Sequence, residues 1–85
     1  MNPRILIVDD REIVREGIRT LLARSGKNWE VCGEACNASD AILAIQSLHP
    51  QVVLLDVSMP GISGLEAARL IGKRPDLHHA RIHTA

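Results

Sequence analysis

An α/β fold, a doubly wound parallel sheet with helices on both faces, is predicted by three features of the sequence. Ile5-Leu6-Ile7-Val8 and Val52-Val53-Leu54-Leu55 are short, unbroken apolar runs, the pattern of strands buried on both sides. Between and after them, apolar residues recur at helical spacing, with short links joining the elements. Each apolar run also ends in aspartate, Asp9-Asp10 in the first case and Asp56 in the second. Right-handed βαβ units gather such strand ends on one edge of a sheet, where open α/β folds bind their ligands.

The first strand, Ile5–Val8, stops at the two aspartates. From there to Arg24, Val14, Ile18, Leu21 and Leu22 form one stripe of a helix, which Ser25-Gly26 ends. Trp29 to Ala35 is a second strand, with Val31 and Cys32 apolar and Gly33 permitting a close approach. Asn37 is expected to cap a second helix carrying Ala38, Ile42, Leu43, Ile45 and Leu48, closed by His49-Pro50. Val52–Leu55 is the third strand, and Pro60, Gly61 and Gly64 shape the tight loop beyond it.

Ser63 is expected to cap a third helix with Leu65, Ala68, Leu70 and Ile71. Lys73-Arg74-Pro75 terminates it with basic charge at the negative end of the helix. Ala80 to Thr84 is a poor fourth strand, because the polar stretch Leu77-His78-His79-Ala80-Arg81-Ile82-His83 suits an exposed edge. Only His79 and His83 have helical i, i+4 spacing, in a segment that does not read as a helix, so these histidines are read as polar surface rather than metal ligands.

Eighty-five residues allow one domain, residues 1–85. With 46% hydrophobic and 24% charged residues the chain is globular rather than disordered. Ten basic and ten acidic residues cancel, so direct binding to nucleic acid or to an anionic membrane is not expected, and the partner is a protein or a small ion. Neither a signal-peptide core nor a long apolar span follows Met1, which makes a cytoplasmic location the expectation. Cys32 and Cys36 form no CxxC pair and are read as reduced, structural thiols. Trp29 is the one aromatic residue, so the core is aliphatic.

In a sheet ordered 2-1-3 the first and third strands are neighbours, and Asp9, Asp10 and Asp56 converge. Clustered carboxylates repel one another, a cost relieved by a hard, oxygen-seeking cation. Mg²⁺ suits such a set, because it takes one or two carboxylates and leaves positions for water and phosphate. The plainer reading, that these aspartates only begin turns, fits one such strand better than two.

Ile5-Leu6-Ile7-Val8-Asp9-Asp10 and Leu54-Leu55-Asp56-Val57-Ser58-Met59-Pro60-Gly61-Ile62-Ser63-Gly64 resemble the two acidic motifs of bacterial response-regulator receiver domains. Arg15-Glu16-Gly17-Ile18-Arg19-Thr20-Leu21-Leu22 and Gly33-Glu34-Ala35 are similar to the NarL-type subgroup. The resemblance implies a flavodoxin-like receiver fold, incomplete, with about four strands and three helices in the order 2-1-3-4. It implies that Asp56 accepts a phosphoryl group from a phosphohistidine of a sensor histidine kinase or phosphotransfer protein. Asp10 and Asp56 would ligate Mg²⁺ directly, Asp9 through water, and Ser58 through its backbone carbonyl. Thr84-Ala85 resembles the Ser/Thr-Ala pair whose hydroxyl meets a phosphoryl oxygen.

A receiver of this family continues with a helix, a fifth strand and a final helix, so residues 1–85 are read as a truncated receiver domain. The family's phosphate-pairing lysine and switch aromatic have no counterpart here, and the face those elements would cover leads to the expectation of a homodimer. The first functional reading is thus a phospho-acceptor in a phosphorelay, not an enzyme beyond self-catalysed phosphoryl transfer and autodephosphorylation. The alternative is a phosphorylation-impaired remnant acting as a protein-interaction and dimerisation module. A phosphatase of the haloacid-dehalogenase type also places an aspartate after an apolar strand, but needs a second acid two residues on, where this chain has Ser58.

Overall fold

A computed structural model describes residues 3–56, 64–77 and 80–84. The elements run β1 (Arg4–Val8), α1 (Glu12–Arg24), β2 (Glu30–Ala35), α2 (Ala38–Leu48), β3 (Val52–Leu55), α3 (Gly64–Gly72), a 3₁₀ turn (Pro75–Leu77) and β4 (Arg81–Thr84). All neighbouring strands are parallel, in the order β2-β1-β3-β4. The chain steps from β1 outward to β2 and then back past β1 to β3. With right-handed crossovers that reversal puts α1 on one face and α2 on the other.

The core lies on the α2 face. Leu6, Val8, Val53 and Leu55 point there from β1 and β3 and meet Ala38, Ala41 and Ile45 of α2, with Ile71 and Leu77 at the side. Small alanines let α2 lie close to the sheet, and Ile45, fully buried, fills the space between. Truncating such a side chain to alanine costs about 2–5 kcal/mol. Asn37 caps α2 as its position predicts: its side chain accepts from the Asp40 backbone N–H at 2.8 Å. His49 closes the same helix in the left-handed region, φ 50°, just before Pro50.

The α1 face is less covered than the unbroken apolar strands imply. Ile5 and Ile7 are buried there, yet Val52 and Leu54 are only half-buried, so β3 alternates where burial on both sides is expected. No residue of α1 is buried. Val14, Ile18 and Leu22 are partly covered, whereas Leu21, part of the same predicted stripe, is 70% exposed. The helix turns the 4-residue row to the sheet and carries Leu21 beyond its edge. Ile13 is likewise exposed, and an apolar groove of about 260 Å³ opens between Leu22, Trp29, Ile5, Val52 and Leu54.

The pairing of β1 with β2 slips between Ile5 and Leu6, which face Val31 and Gly33 in turn. Cys32 is the extra residue of that bulge, and its thiol donates to the Ile5 carbonyl at 3.4 Å. Gly33 does permit a close approach: a Cβ there would stand 2.6 Å from Leu48 Cδ1. At the sheet's other side β4 is an edge strand, with Ile82 packed on the core and Arg81 and His83 exposed. His78, His79 and the expected cap Ser63 lie outside the described residues.

Candidate functional site

Asp9 and Asp56 stand side by side because the register puts Val8 opposite Leu55. The hydrogen-bond ladder continues one residue past each strand: Asp9 N–H donates to the Ala35 carbonyl at 3.0 Å, and Asp56 N–H to the Val8 carbonyl at 3.1 Å. The backbone of both aspartates is therefore held by the sheet. One carboxylate oxygen from each of Asp9, Asp10 and Asp56 falls within 4.8 Å of the others. Asp9 and Asp56 are 3% and 9% exposed, while Asp10 faces water.

Asp9 also begins a turn, as the plainer reading holds. Its Oδ1 accepts from the Arg11 backbone N–H at 2.9 Å and leads into α1, whose cap position, Arg11, makes no side-chain cap of its own. One oxygen of Asp9 thus starts the helix, and the same carboxyl belongs to the acidic cluster. The turn and the cluster are two uses of one residue.

Sequence reasoning passed over Arg11. Its Nε lies 3.4 Å from Asp9 Oδ1 and an Nη 3.3 Å from Asp56 Oδ2, so one guanidinium spans the two buried carboxylates. The hydrogen bond to Asp9, then that carboxylate's charge, hold Arg11 more firmly protonated than an ordinary arginine, with Asp56 and Asp10 adding to it. The signal in the sequence was a cation directly after an acidic pair. Its target, Asp56, is distant along the chain and could not be read from that spacing.

Arg15 supports the site from α1. It donates to the Asp9 backbone carbonyl at 2.6 Å and to Glu34 Oε1 at 2.9 Å, and Glu34 also pairs with Arg19. Below the carboxylates a cavity of about 190 Å³ runs between α1 and the sheet, polar at Asp9, Arg11 and Asp56 and apolar at Val14, Ile18 and Leu54.

Thr84 pairs with Leu55, one residue before Asp56, which brings the end of β4 to the same edge of the sheet. Ser58 lies outside the described residues. The donor set formed by Asp9, Asp10 and Asp56 is all oxygen, charged, and open to water through Asp10, which fits a hard divalent cation such as Mg²⁺ rather than a soft, thiolate-seeking metal. Chemically, the arrangement offers a backbone-anchored carboxylate beside two others able to share a cation.

Residues 5–84 match the response regulator receiver domain family. Over 75 residues, 87% of this chain, the sequence is 45% identical to the response regulator GacA of Pseudomonas protegens, of which the chain spans 35%. It is 46% identical over 68 residues, 80% of this chain, to a protein-glutamate methylesterase/protein-glutamine glutaminase of Methanosarcina acetivorans, but spans only 19% of that protein. A LuxR-family two-component response regulator from Aurantimonas superposes with a TM-score of 0.86 at 37% identity, covering 99% of this chain and 58% of that one. The chain thus spans about a third or less of these curated relatives.

Proposed function

Because the chain belongs to the response regulator receiver domain family, we propose that it is a phosphorelay receiver whose Asp56 accepts a phosphoryl group. The observation that carries this reading is the convergence of Asp9, Asp10 and Asp56 within 4.8 Å at the carboxyl edge of the sheet. A carboxylate oxygen of Asp56 attacks the phosphorus of a phosphohistidine. The new O–P bond replaces the N–P bond, and the departing imidazole nitrogen keeps the electron pair and takes a proton.

Asp9, Asp10 and Asp56, with the backbone carbonyl of Ser58, would hold Mg²⁺. When bound, the ion offsets the repulsion between the attacking carboxylate and the phosphoryl oxygens. The chain's own part is positional: the Val8 carbonyl fixes the Asp56 backbone, and the Ala35 carbonyl fixes that of Asp9. Thr84, at the end of β4, supplies the hydroxyl that meets a phosphoryl oxygen. Residues 1–85 act as one receiver unit, and the methylesterase activity in the name of one relative is not carried over from so small a shared part.

The partners proposed are a sensor histidine kinase or phosphotransfer protein and, for the open α1 face, a second copy of the chain. Exposed Ile13 and Leu21 on α1, and the apolar groove between Leu22 and Trp29, support the latter. Among the described residues no helix is long and apolar enough to cross a membrane, and the proposed location is the cytoplasm. The family match and the acidic cluster favour the acceptor over a phosphorylation-impaired interaction module.

Intact-mass measurement after treatment with phosphoramidate and Mg²⁺ tests the reading. One phosphoryl group is expected on the wild type and none on Asp56→Asn. An unmodified wild type, or an equally modified variant, refutes it.

A further inference from the structure

We propose that Arg11 is the built-in counter-cation of this site, bridging Asp9 and Asp56 and competing with a divalent ion for their carboxylates. The inference rests on the metal-assisted acceptor reading above and adds a control on its metal affinity. Two carboxylates buried to 3% and 9% exposure repel one another, and positive charge nearby relieves that cost. Arg11 reaches both, at 3.4 and 3.3 Å, from the cap position just before α1. Arg15, the next cation along the helix, is engaged otherwise: it binds the Asp9 backbone carbonyl and Glu34, not the acidic cluster.

The Arg11 side chain is 56% exposed. It can swing into water without uncovering the core, so it is a displaceable charge rather than a structural one. Mg²⁺ and the guanidinium would draw on the same two carboxylates, Arg11 already holding Asp9 Oδ1 and Asp56 Oδ2. Two cations so close also repel. Each therefore binds more weakly in the presence of the other, and by linkage metal loading loosens the hold of Arg11 on the carboxylates. In metal-free protein Arg11 relieves the carboxylate repulsion, and loading exchanges one counter-charge for another.

Calorimetric titration of Mg²⁺ into the wild type, Arg11→Gln and Arg11→Lys tests the competition. Arg11→Gln, which keeps a polar side chain without the charge, is expected to bind Mg²⁺ at least about fivefold more tightly than the wild type. Arg11→Lys, which loses the fork but keeps the charge, is expected between the two and serves if the glutamine variant does not fold. Equal or weaker binding in the substituted protein overturns this proposal alone. Absence of Mg²⁺ binding in every variant overturns the metal reading, and the proposal with it.

Urea unfolding in excess chelator gives a second test that needs no metal. Arg11→Gln and Asp56→Asn are expected to be non-additive, because removing the Asp56 charge removes part of what Arg11 neutralises. Strictly additive losses overturn the counter-cation role.

Discussion

Arg15 Nε donates to Glu34 Oε1 at 2.9 Å, joining α1 to β2 across the top of the sheet. The pair matters because α1 buries none of its residues and so has little hydrophobic hold of its own. Both side chains are mostly shielded, 16% and 30% exposed, which limits screening by water. Glu34→Gln is expected to cost about 1 kcal/mol in urea unfolding, and the amides of α1 to exchange faster while those of β1 and β3 do not. Unchanged exchange in α1 would show that its apolar row, not this pair, holds it.

The acidic residues should separate by charge and by shape. Asp9→Asn and Asp56→Asn are each expected to weaken Mg²⁺ binding by at least about tenfold, the loss that even outer partners of a metal site produce. Asp9→Asn keeps an oxygen for the Arg11 N–H, whereas Asp9→Ala loses it and is expected to cost about 1 kcal/mol more in stability. Asp40→Asn, on a carboxylate outside the cluster, is the control that leaves Mg²⁺ affinity unchanged. Calorimetry and urea melts on the same four proteins check both halves.

Burial raises the Cys32 thiol above its ordinary value, with Arg4 partly opposing. The folded protein therefore keeps its proton where the unfolded chain has begun to lose it. That difference is absent below the unfolded chain's value, and stability is lost as pH rises from there toward the higher folded one. Urea midpoints are expected to fall over this range and to fall less in Cys32→Ala. Exposed Cys36 should react with a thiol reagent well before Cys32.

Gly33→Ala tests the approach of α2 to the bulged strand. The new methyl would meet Leu48 Cδ1 at 2.6 Å, so the end of that flexible side chain must rotate away. A loss of about 1 kcal/mol is expected, the low end of overpacking costs, because one terminal methyl rather than backbone gives way. In Gly33→Ala combined with Leu48→Ala the steric part of the loss should vanish.

Assembly is checked by light scattering behind a sizing column over a wide range of concentration. A two-chain mass that declines on dilution is expected for the wild type, and a one-chain mass for Leu21→Glu, which puts charge on the exposed row of α1. A one-chain mass of the wild type at every concentration contradicts the second-copy reading.

The order of elements and the convergence of Asp9, Asp10 and Asp56 were legible in the sequence. Apolar runs of strand length, helical spacing and the Asn37 cap are local patterns, and the handedness of crossovers leaves few ways to assemble them. The tertiary structure alone decided the rest. Cys32 became a bulge because β1 and β2 pair in a register that no local pattern specifies. Leu21 turned outward because helix coverage depends on how α1 is rotated over the sheet, not on periodicity alone. Arg11 found Asp56 because parallel pairing brings residues 45 positions apart into one ion pair. Such contacts depend on long-range register and side-chain reach, and a single sequence records those only as residues far apart.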